Sequence, residues 1–368
     1  METKAFESFI GKCQHACTGI PGGKALVTPL YKTLTAAKNR NQDHVQFHPN
    51  SAQLNALKDL RTMFKLLSEH PVHCSQLVPQ NPHYIGYCDA CKHGAGGVWM
   101  SGTKTIRPIV WRIKWPPDIV KLTEKRPEEG GLTINDLEMA GVLIQNLILE
   151  NLVPMKHTHA ATWCDNTSAV AWTGRLNSSK SRVGQQLTRA LALQMIINQS
   201  SHLAAMSIPG KDNDLADLAS RSFKQTGVQG NYNLSDEAFL TKFNLDFPLT
   251  QDNSWLMLRL NTRLSSLVFT SLRDTPVPTG SWLRLTECGC DILPIGSTSA
   301  KSNGWTPFSE DLQTKCSLKP SLVSLSTSVK GMQDDEIKSG LAQFRRRWAP
   351  SPRPSRWTTG PTPPSTTG

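Results

Sequence analysis

The sequence lacks the features that would place the protein in a membrane or send it out of the cell. No stretch approaches the ~18 consecutive apolar residues of a membrane-spanning helix. The first residues, Met1 to Lys4, lead into mixed polar residues rather than into the apolar core of a secretory signal. We therefore expect an intracellular protein, cytoplasmic or nuclear and not secreted, with no membrane partner.

A complete cysteine motif is also missing. The chain has nine cysteines, an odd number, and their spacing is irregular. Cys88 and Cys91 have CxxC spacing, but no second CxxC and no Cys/His pair completes a zinc site, and the group of Cys13, His15 and Cys17 is equally incomplete. The cysteines are therefore predicted to be free thiols in a reducing compartment.

Apolar residues are scarce as well. They make up 38% of the 368 residues, which is low for a chain that folds along its whole length. After residue 300 the chain is rich in Ser, Thr, Pro and Lys/Arg, and such a composition cannot bury enough apolar surface to fold. Residues 300–368 are therefore predicted to be a low-complexity, disordered tail. Residues 225–299 have apolar character without a clean period, which predicts a poorly defined linker or helical segment.

Positive charge is what the chain has in excess. Its formal net charge is +11 and its pI is near 9.3. Such an excess favours a polyanionic partner, above all a nucleic acid. A basic tail that only aids solubility is the alternative.

Apolar periodicity predicts a mixed α/β architecture. Residues 51–69 have apolar side chains at steps of three and four behind a plausible Ser51 N-cap, which predicts a helix. From residue 84, strand-like and helix-like runs follow in the order β-β-β-α-β-α-α-β-α. Residues 94–97 are predicted to be a glycine bend and residues 105–111 a strand. Thr133 and Asp136 form a predicted capping box for a helix that ends near Asn151. Together these runs predict a mixed sheet covered by helices.

Four carboxylates in this region have the surroundings that a two-metal nuclease needs. Two of them end strand-like runs and two lie in helix-like runs: Asp89, Glu138, Asp165 and Asp217. Mg²⁺ prefers hard oxygen ligands, and two such ions about 4 Å apart can activate a water and stabilise a leaving oxygen. Any one of these residues alone would more often be a turn cap or a solvated side chain. The neighbouring Asp136, Asp212 and Asp214 are assigned to capping or loop roles.

The segments around these carboxylates resemble the ribonuclease H domains of retroelement reverse transcriptases. The similar segments are YCDAC with GAGGVW (residues 87–99), NDLEM (135–139), WCDNTSA (163–169) and IPGKDNDLADLASR (208–221). The resemblance implies a ribonuclease H-like sheet at residues 78–224, preceded at residues 1–77 by a partial, mostly helical polymerase-connection segment. It also implies cleavage of the RNA strand of RNA–DNA hybrids with two Mg²⁺ or Mn²⁺ ions, and Asp89, Glu138, Asp165 and Asp217 as both the catalytic and the metal-binding residues.

The chain departs from such proteins in two respects. Residues 211–216 contain no histidine, although many ribonucleases H have a loop histidine shortly before the last aspartate. The only adjacent aspartates, Asp334 and Asp335, lie in the predicted tail, which indicates a polyprotein fragment without the polymerase palm.

Nucleic-acid contacts are predicted for a small set of polar and basic residues. Asn166 and the backbone of residues 94–97 are candidates for reading the 2′-hydroxyl group that distinguishes RNA from DNA. The candidates for phosphate contacts are Lys92, Lys180, Arg182 and Arg189, and a solvated charged face is their alternative. Trp172 is predicted to lie in the core rather than to stack on a base. Two other functions stay open: a catalytically inactive nucleic-acid-binding remnant and a related nuclease that acts on DNA.

Overall fold

A computed structural model describes the chain in segments. The described residues are 1–20, 22–48, 51–69, 71–72, 81–101, 106–155, 158–176, 181–197, 203–223, 233–249, 254–260, 264, 268–269 and 293–295. The predicted tail, residues 300–368, lies outside them. In this part of the chain no helix has the combination of length and apolar content that crossing a bilayer requires.

One seven-stranded sheet organises the described residues. Its strands are β1 (Tyr84–Ala90), β2 (Gly94–Ser101), β3 (Ile109–Lys114), β4 (Ala160–Cys164), β5 (Leu203–Ser207), β6 (Leu256–Arg259) and β7 (Leu293–Ile295). They lie in the order β5-β4-β1-β2-β3-β6-β7. β2 is antiparallel to both β1 and β3, whereas β4 is parallel to β1 and to β5. β6 is parallel to β3 and antiparallel to β7.

Helices flank this sheet, which confirms the predicted mixed α/β fold class. They are α4 (Pro117–Thr123), α5 (Ile134–Leu152), α6 (Thr167–Arg175), α7 (Arg182–Ile197), α8 (Asp214–Arg221) and α9 (Asp236–Asp246). Three further helices precede the sheet: α1 (Thr3–Ala16), α2 (Gly23–Asn39) and α3 (Ala52–Glu69). Ser51 caps α3 as predicted, because its Oγ accepts a hydrogen bond from the Leu54 N–H at 3.2 Å.

Two of the strand predictions were wrong. Residues 94–97 are not a bend but the first half of β2, which is buried along its whole length. Glycine weakens an isolated strand. Here Gly96 is required, because helix α8 packs so closely on it that a Cβ there would lie 2.5 Å from the Ala219 Cβ. The next strand is Ile109–Lys114 rather than 105–111, because pairing with β2 extends it through Arg112 to Lys114.

Helix α5 is buried along most of its length. The predicted capping box begins it: the Thr133 N–H donates to Asp136 Oδ2 at 2.9 Å, and the Asp136 N–H donates to Thr133 Oγ1 at 3.3 Å. Just past the middle of the helix, Gln145 is fully buried and its Nε2 donates to the Val98 carbonyl at 2.8 Å. Its Oε1 accepts from Trp111 Nε1. These bonds lock α5 onto the centre of the sheet.

The segment after residue 224 contributes to the fold. Aromatic side chains of α9 and the residues before β6 pack on β2, β3 and α8, and Phe239, Phe243 and Trp255 are buried in this cluster. Arg112 in β3 forms a 2.8 Å ion pair with Asp236 at the start of α9. The sheet therefore extends beyond residue 224 to β6 and β7.

The N-terminal helices form a second apolar core that lies against α7. Phe6, Leu26 and Leu30 are buried in it together with Leu193 of α7. A Cβ at Gly22, whose φ is +79°, would lie 2.9 Å from the Ala192 backbone. This close approach requires glycine, and it attaches the helices of residues 1–69 to the sheet domain through α7.

Candidate active site

The four predicted carboxylates come from four different elements that meet at one edge of the sheet. Asp89 is near the end of β1, and Asp165 directly follows β4. Because β1 and β4 are parallel, with Tyr87 opposite Trp163, the same register continued by two residues places Asp89 beside Asp165. Glu138 comes from the first turns of α5 and Asp217 from α8. The structure therefore brings together residues that are up to 128 positions apart, from Asp89 to Asp217.

Glu138 is buried and held by two hydrogen bonds. Its side chain is 4% exposed, and its Oε2 accepts a hydrogen bond from the Ala90 N–H at 3.2 Å. The thiol of Cys164 donates to the same oxygen at 3.7 Å. Ligand atoms of Glu138, Cys164 and Asp165 all lie within 4.8 Å of one another, close enough to share one metal ion.

Asp89 is held from the side of helix α8. Its side chain is 3% exposed, and its Oδ2 accepts a hydrogen bond from the Ser220 hydroxyl. Asp89 lies opposite Gly96 in the β1–β2 ladder, and Gly96 is the position on which α8 packs. The glycine thus allows the helix to bring Ser220 and Asp217 to the end of β1.

Asp217, like Asp165, is a partly exposed member of the group. Its side chain is 35% exposed, and its Oδ1 lies 2.6 Å from Arg221 Nη2 one helical turn later. The turn before α8 also approaches the site, since a Cβ at Gly210 would lie 3.0 Å from Asp165 Oδ2. The Asn213 side chain joins this turn to β1 by donating to the Cys88 carbonyl at 3.2 Å.

Burial and mutual repulsion make this group costly to ionise. Burial raises the pKa of Asp89 to about 6, with further increases from the charges of Asp165 and Asp217 against a lowering by the Ser220 hydrogen bond. Burial also raises the pKa of Glu138 to about 11, assisted by Cys164, Asp89 and Asp165. The pKa of Asp217 is raised by burial and by Asp165, although Arg221 opposes the shift.

The donor set fits divalent cations. Its carboxylate oxygens are the ligands that Mg²⁺ and Mn²⁺ prefer. In the described part of the chain, the hydrogen-bond partners of Glu138 are a backbone N–H and a thiol, and neither carries a positive charge. A buried carboxylate without a countercharge is stabilised in its ionised form by a bound cation. Asp89, Glu138, Asp165 and Asp217 are therefore the residues that would hold such ions.

The structure places the predicted nucleic-acid contacts in different surroundings. Lys92 is exposed in the short β1–β2 connection, and Arg182 is exposed at the start of α7. Asn166 caps α6, where its Oδ1 accepts from the Ala169 N–H at 2.9 Å and its Nδ2 donates to Asn135. Arg189 forms an ion pair with Asp59 of α3, so its charge is already engaged within the protein. Lys180 lies outside the described residues.

Two further predictions concern nucleic-acid contacts: those for the backbone of residues 94–97 and for Trp172. The backbone of residues 94–97 pairs with β1 on one side and β3 on the other, which leaves it unable to read a 2′-hydroxyl group. This prediction is wrong for the same reason as the predicted bend: residues 94–97 belong to β2, where Gly96 packs against helix α8. Trp172 is partly buried and packs against the main core, as expected for a residue that does not stack on bases.

Sequence reasoning missed three side chains that shape the site. Cys164 and Ser220 each contact a carboxylate, and Arg221 pairs with Asp217. All three lie within the segments that had been noticed for their aspartates. Only the i, i+4 spacing of Asp217 and Arg221 is a signal that could have been read from the sequence. The other two contacts join residues that are distant in the chain.

Comparison with known proteins gives limited similarity. No protein-family model matches the chain, and no curated protein matches it. Among solved structures the chain is similar to LC11-RNase H1, crystallised in complex with an RNA/DNA hybrid. The two are 16% identical, the match covers 37% of this chain and 92% of the other, and the TM-score is 0.25.

Proposed function

We propose that the protein is a divalent-metal-dependent nuclease that cleaves the RNA strand of RNA–DNA hybrids, as part of a retroelement reverse transcriptase. The observation that carries this proposal is the convergence of Asp89, Glu138, Asp165 and Asp217 at the ends of strands β1 and β4. The raised pKa values of Asp89, Glu138 and Asp217 are the second support, because burial first and mutual repulsion second leave the metal-free cluster in need of positive charge. The net charge of +11 favours the polyanionic substrate.

The residues would divide the work according to their burial. Two bound Mg²⁺ or Mn²⁺ ions would supply an activated water and stabilise the leaving oxygen. Asp89 and Glu138 are buried and hydrogen-bonded, so they hold their oxygens in a fixed geometry. Asp165 and Asp217 are more exposed and face the side from which a nucleic acid can approach. Lys92 and Arg182 are the exposed cations that we propose for phosphate contacts.

A catalytically inactive remnant that still binds nucleic acid is the second candidate. One observation favours it: three of the four carboxylates already have side-chain partners in the protein. Ser220 donates to Asp89, Cys164 donates to Glu138, and Arg221 pairs with Asp217. Such a protein would bind nucleic acid through its net positive charge alone, with binding that weakens as salt increases.

Cleavage of a hybrid labelled on its RNA strand, in Mg²⁺ or Mn²⁺, tests the proposal directly. We expect the parent protein to cut the RNA strand and Asp165→Asn to lose at least about a thousandfold in rate, because a metal ligand is removed. Asp214→Asn is the matched control: Asp214 is an exposed aspartate of α8 and should be dispensable for cutting.

The outcomes separate the candidates. A folded parent that binds the hybrid at low salt without cutting it is the result expected of the inactive remnant. Equal cutting by the parent and by Asp165→Asn would overturn the assignment of the site. A duplex of two DNA strands, tested alongside, reveals a DNA nuclease if it is cut in preference to the hybrid.

A further inference from the structure

Arg221 is a cation placed at the rim of the carboxylate cluster. It is the last residue of α8, and its side chain is 58% exposed while its Nη2 lies 2.6 Å from Asp217 Oδ1. Arg221 is held in position through the neighbouring Ser220. The Ser220 hydroxyl donates to Asp89, and the Ser220 carbonyl accepts from the Cys91 thiol at 3.3 Å. The guanidinium therefore reaches both the cluster and the solvent.

The charge of Arg221 acts on more than its ion-pair partner. It lowers the pKa of Asp217, of Asp89 and of Cys91 against the effect of burial. In the metal-free protein Arg221 is thus a countercharge for the cluster at the place where Asp217 opens to solvent. A divalent ion bound by Asp217 competes with the guanidinium for the same carboxylate.

A guanidinium released in this way is suited to a phosphodiester. It is planar, always charged, and presents paired N–H donors that match two phosphate oxygens. The released side chain remains tethered at the end of α8, beside the cluster where the scissile phosphate would lie. It is also already largely exposed, so moving from carboxylate to phosphate requires no rearrangement of the core.

We propose that Arg221 is a substrate-binding residue that a divalent ion switches, paired with Asp217 without the ion and bound to a substrate phosphate with it. The inference rests on the proposed nuclease function and deepens it. The simpler role is an i, i+4 pair that only stabilises the end of α8. That role affects thermal stability but changes neither ion affinity nor any ion-dependent step.

Binding of Mn²⁺ alone, measured by isothermal titration calorimetry, tests the first half. We expect Arg221→Ala to bind Mn²⁺ about two- to fivefold more tightly than the parent, because a partly exposed competing ion pair is gone. Arg221→Lys, which keeps the charge, should stay near the parent. Arg40→Ala, which removes an exposed arginine at the end of α2, should leave the affinity unchanged. Unchanged affinity in Arg221→Ala, with the variant shown to be folded, overturns the competition.

Hybrid binding with and without Ca²⁺, followed by fluorescence anisotropy while the RNA strand is verified to stay intact, tests the second half. With Ca²⁺ we expect Arg221→Ala to bind about tenfold more weakly than the parent, and the slope of log K against log salt to fall by about one. Without the ion the variant should bind like the parent. Equal weakening in both conditions would identify Arg221 as an ordinary surface charge and overturn the switch.

The two proposals fail separately. If the parent cuts the hybrid but Arg221→Ala matches it in both binding assays, the switch is wrong and the nuclease stands. If the parent never cuts, yet removing Arg221 tightens Mn²⁺ binding and weakens only the ion-dependent hybrid binding, the switch is supported and the nuclease proposal fails.

Discussion

Replacing Asp89 by asparagine is expected to abolish hybrid cleavage and, at the same time, to stabilise the metal-free protein. Asp89 is 3% exposed and lies near Asp165 and Asp217, so its ionised form is costly in the folded state. Asparagine keeps the shape and can still accept the Ser220 hydroxyl, but it carries no charge. We expect cleavage to fall at least about a thousandfold and the free energy of unfolding at pH 7 to rise by on the order of 1–3 kcal/mol.

The stabilisation should depend on pH in a defined direction. The pKa of Asp89 is about 6 in the folded protein, above the usual 3.8. Folding therefore favours the protonated carboxyl, so no penalty exists below the unfolded value and a full penalty exists above the folded one. The difference in melting temperature between Asp89→Asn and the parent should be small near pH 4, grow up to pH 6 and stay constant at higher pH.

Thermal melts in EDTA across this pH range measure the effect. Asp43→Asn, which removes an exposed aspartate outside the cluster, should follow the parent at every pH. Added Mn²⁺ should stabilise the parent but have a much smaller effect on Asp89→Asn, because a ligand is missing. A variant that is less stable than the parent at pH 7 in EDTA would contradict the electrostatic account of the cluster.

Replacing Gly96 by valine is expected to move Asp217 away from the other carboxylates, although no carboxylate is mutated. Even a single added Cβ would lie 2.5 Å from the Ala219 Cβ and 2.6 Å from the Ser220 backbone nitrogen. Helix α8 must then move away from β2, and it carries Asp217 and Ser220 with it. We expect a loss of about 3 kcal/mol or more in stability for valine, and about 1–3 kcal/mol for alanine.

Chemical denaturation, circular dichroism and the cleavage assay together reveal this effect. Gly174→Ala is the matched control, because a Cβ there meets nothing within 4 Å and alanine is the better helix former. That control should be as stable as the parent or slightly more stable, with unchanged cleavage. Full cleavage by a folded Gly96→Val protein would show that the position of α8 does not govern the site.

The two experiments test two contributions to the same site: its charged ligands and the packing of helix α8 on β2. The carboxylates supply the chemistry of the site, whereas Gly96 of β2 allows helix α8 to bring Asp217 and Ser220 within reach. Gly96 lies opposite Asp89 in the ladder, so helix packing and the metal-binding group meet at one point of the sheet. Stability and the proposed activity are opposed there, because the charges that would bind cations repel one another without them.

The amino-acid sequence by itself determined the local elements and the candidate ligands. Apolar spacing predicted α3, the capping box of Thr133 and Asp136 predicted the start of α5, and strand ends indicated Asp89 and Asp165. These signals are readable because each depends on residues a few positions apart. The mixed α/β class followed from the order of such elements.

Only the tertiary structure decided what these elements do to one another. It turned a glycine-rich stretch into β2, because a helix covers it, and it added β6 to the sheet although residues 225–299 show no clean period. It paired Arg189 with Asp59 and placed Ser220, Cys164 and Arg221 at the carboxylates. Apart from the i, i+4 pair of Asp217 and Arg221, these contacts join residues far apart in the chain, and a local sequence pattern carries no information about which distant partner will fill the space.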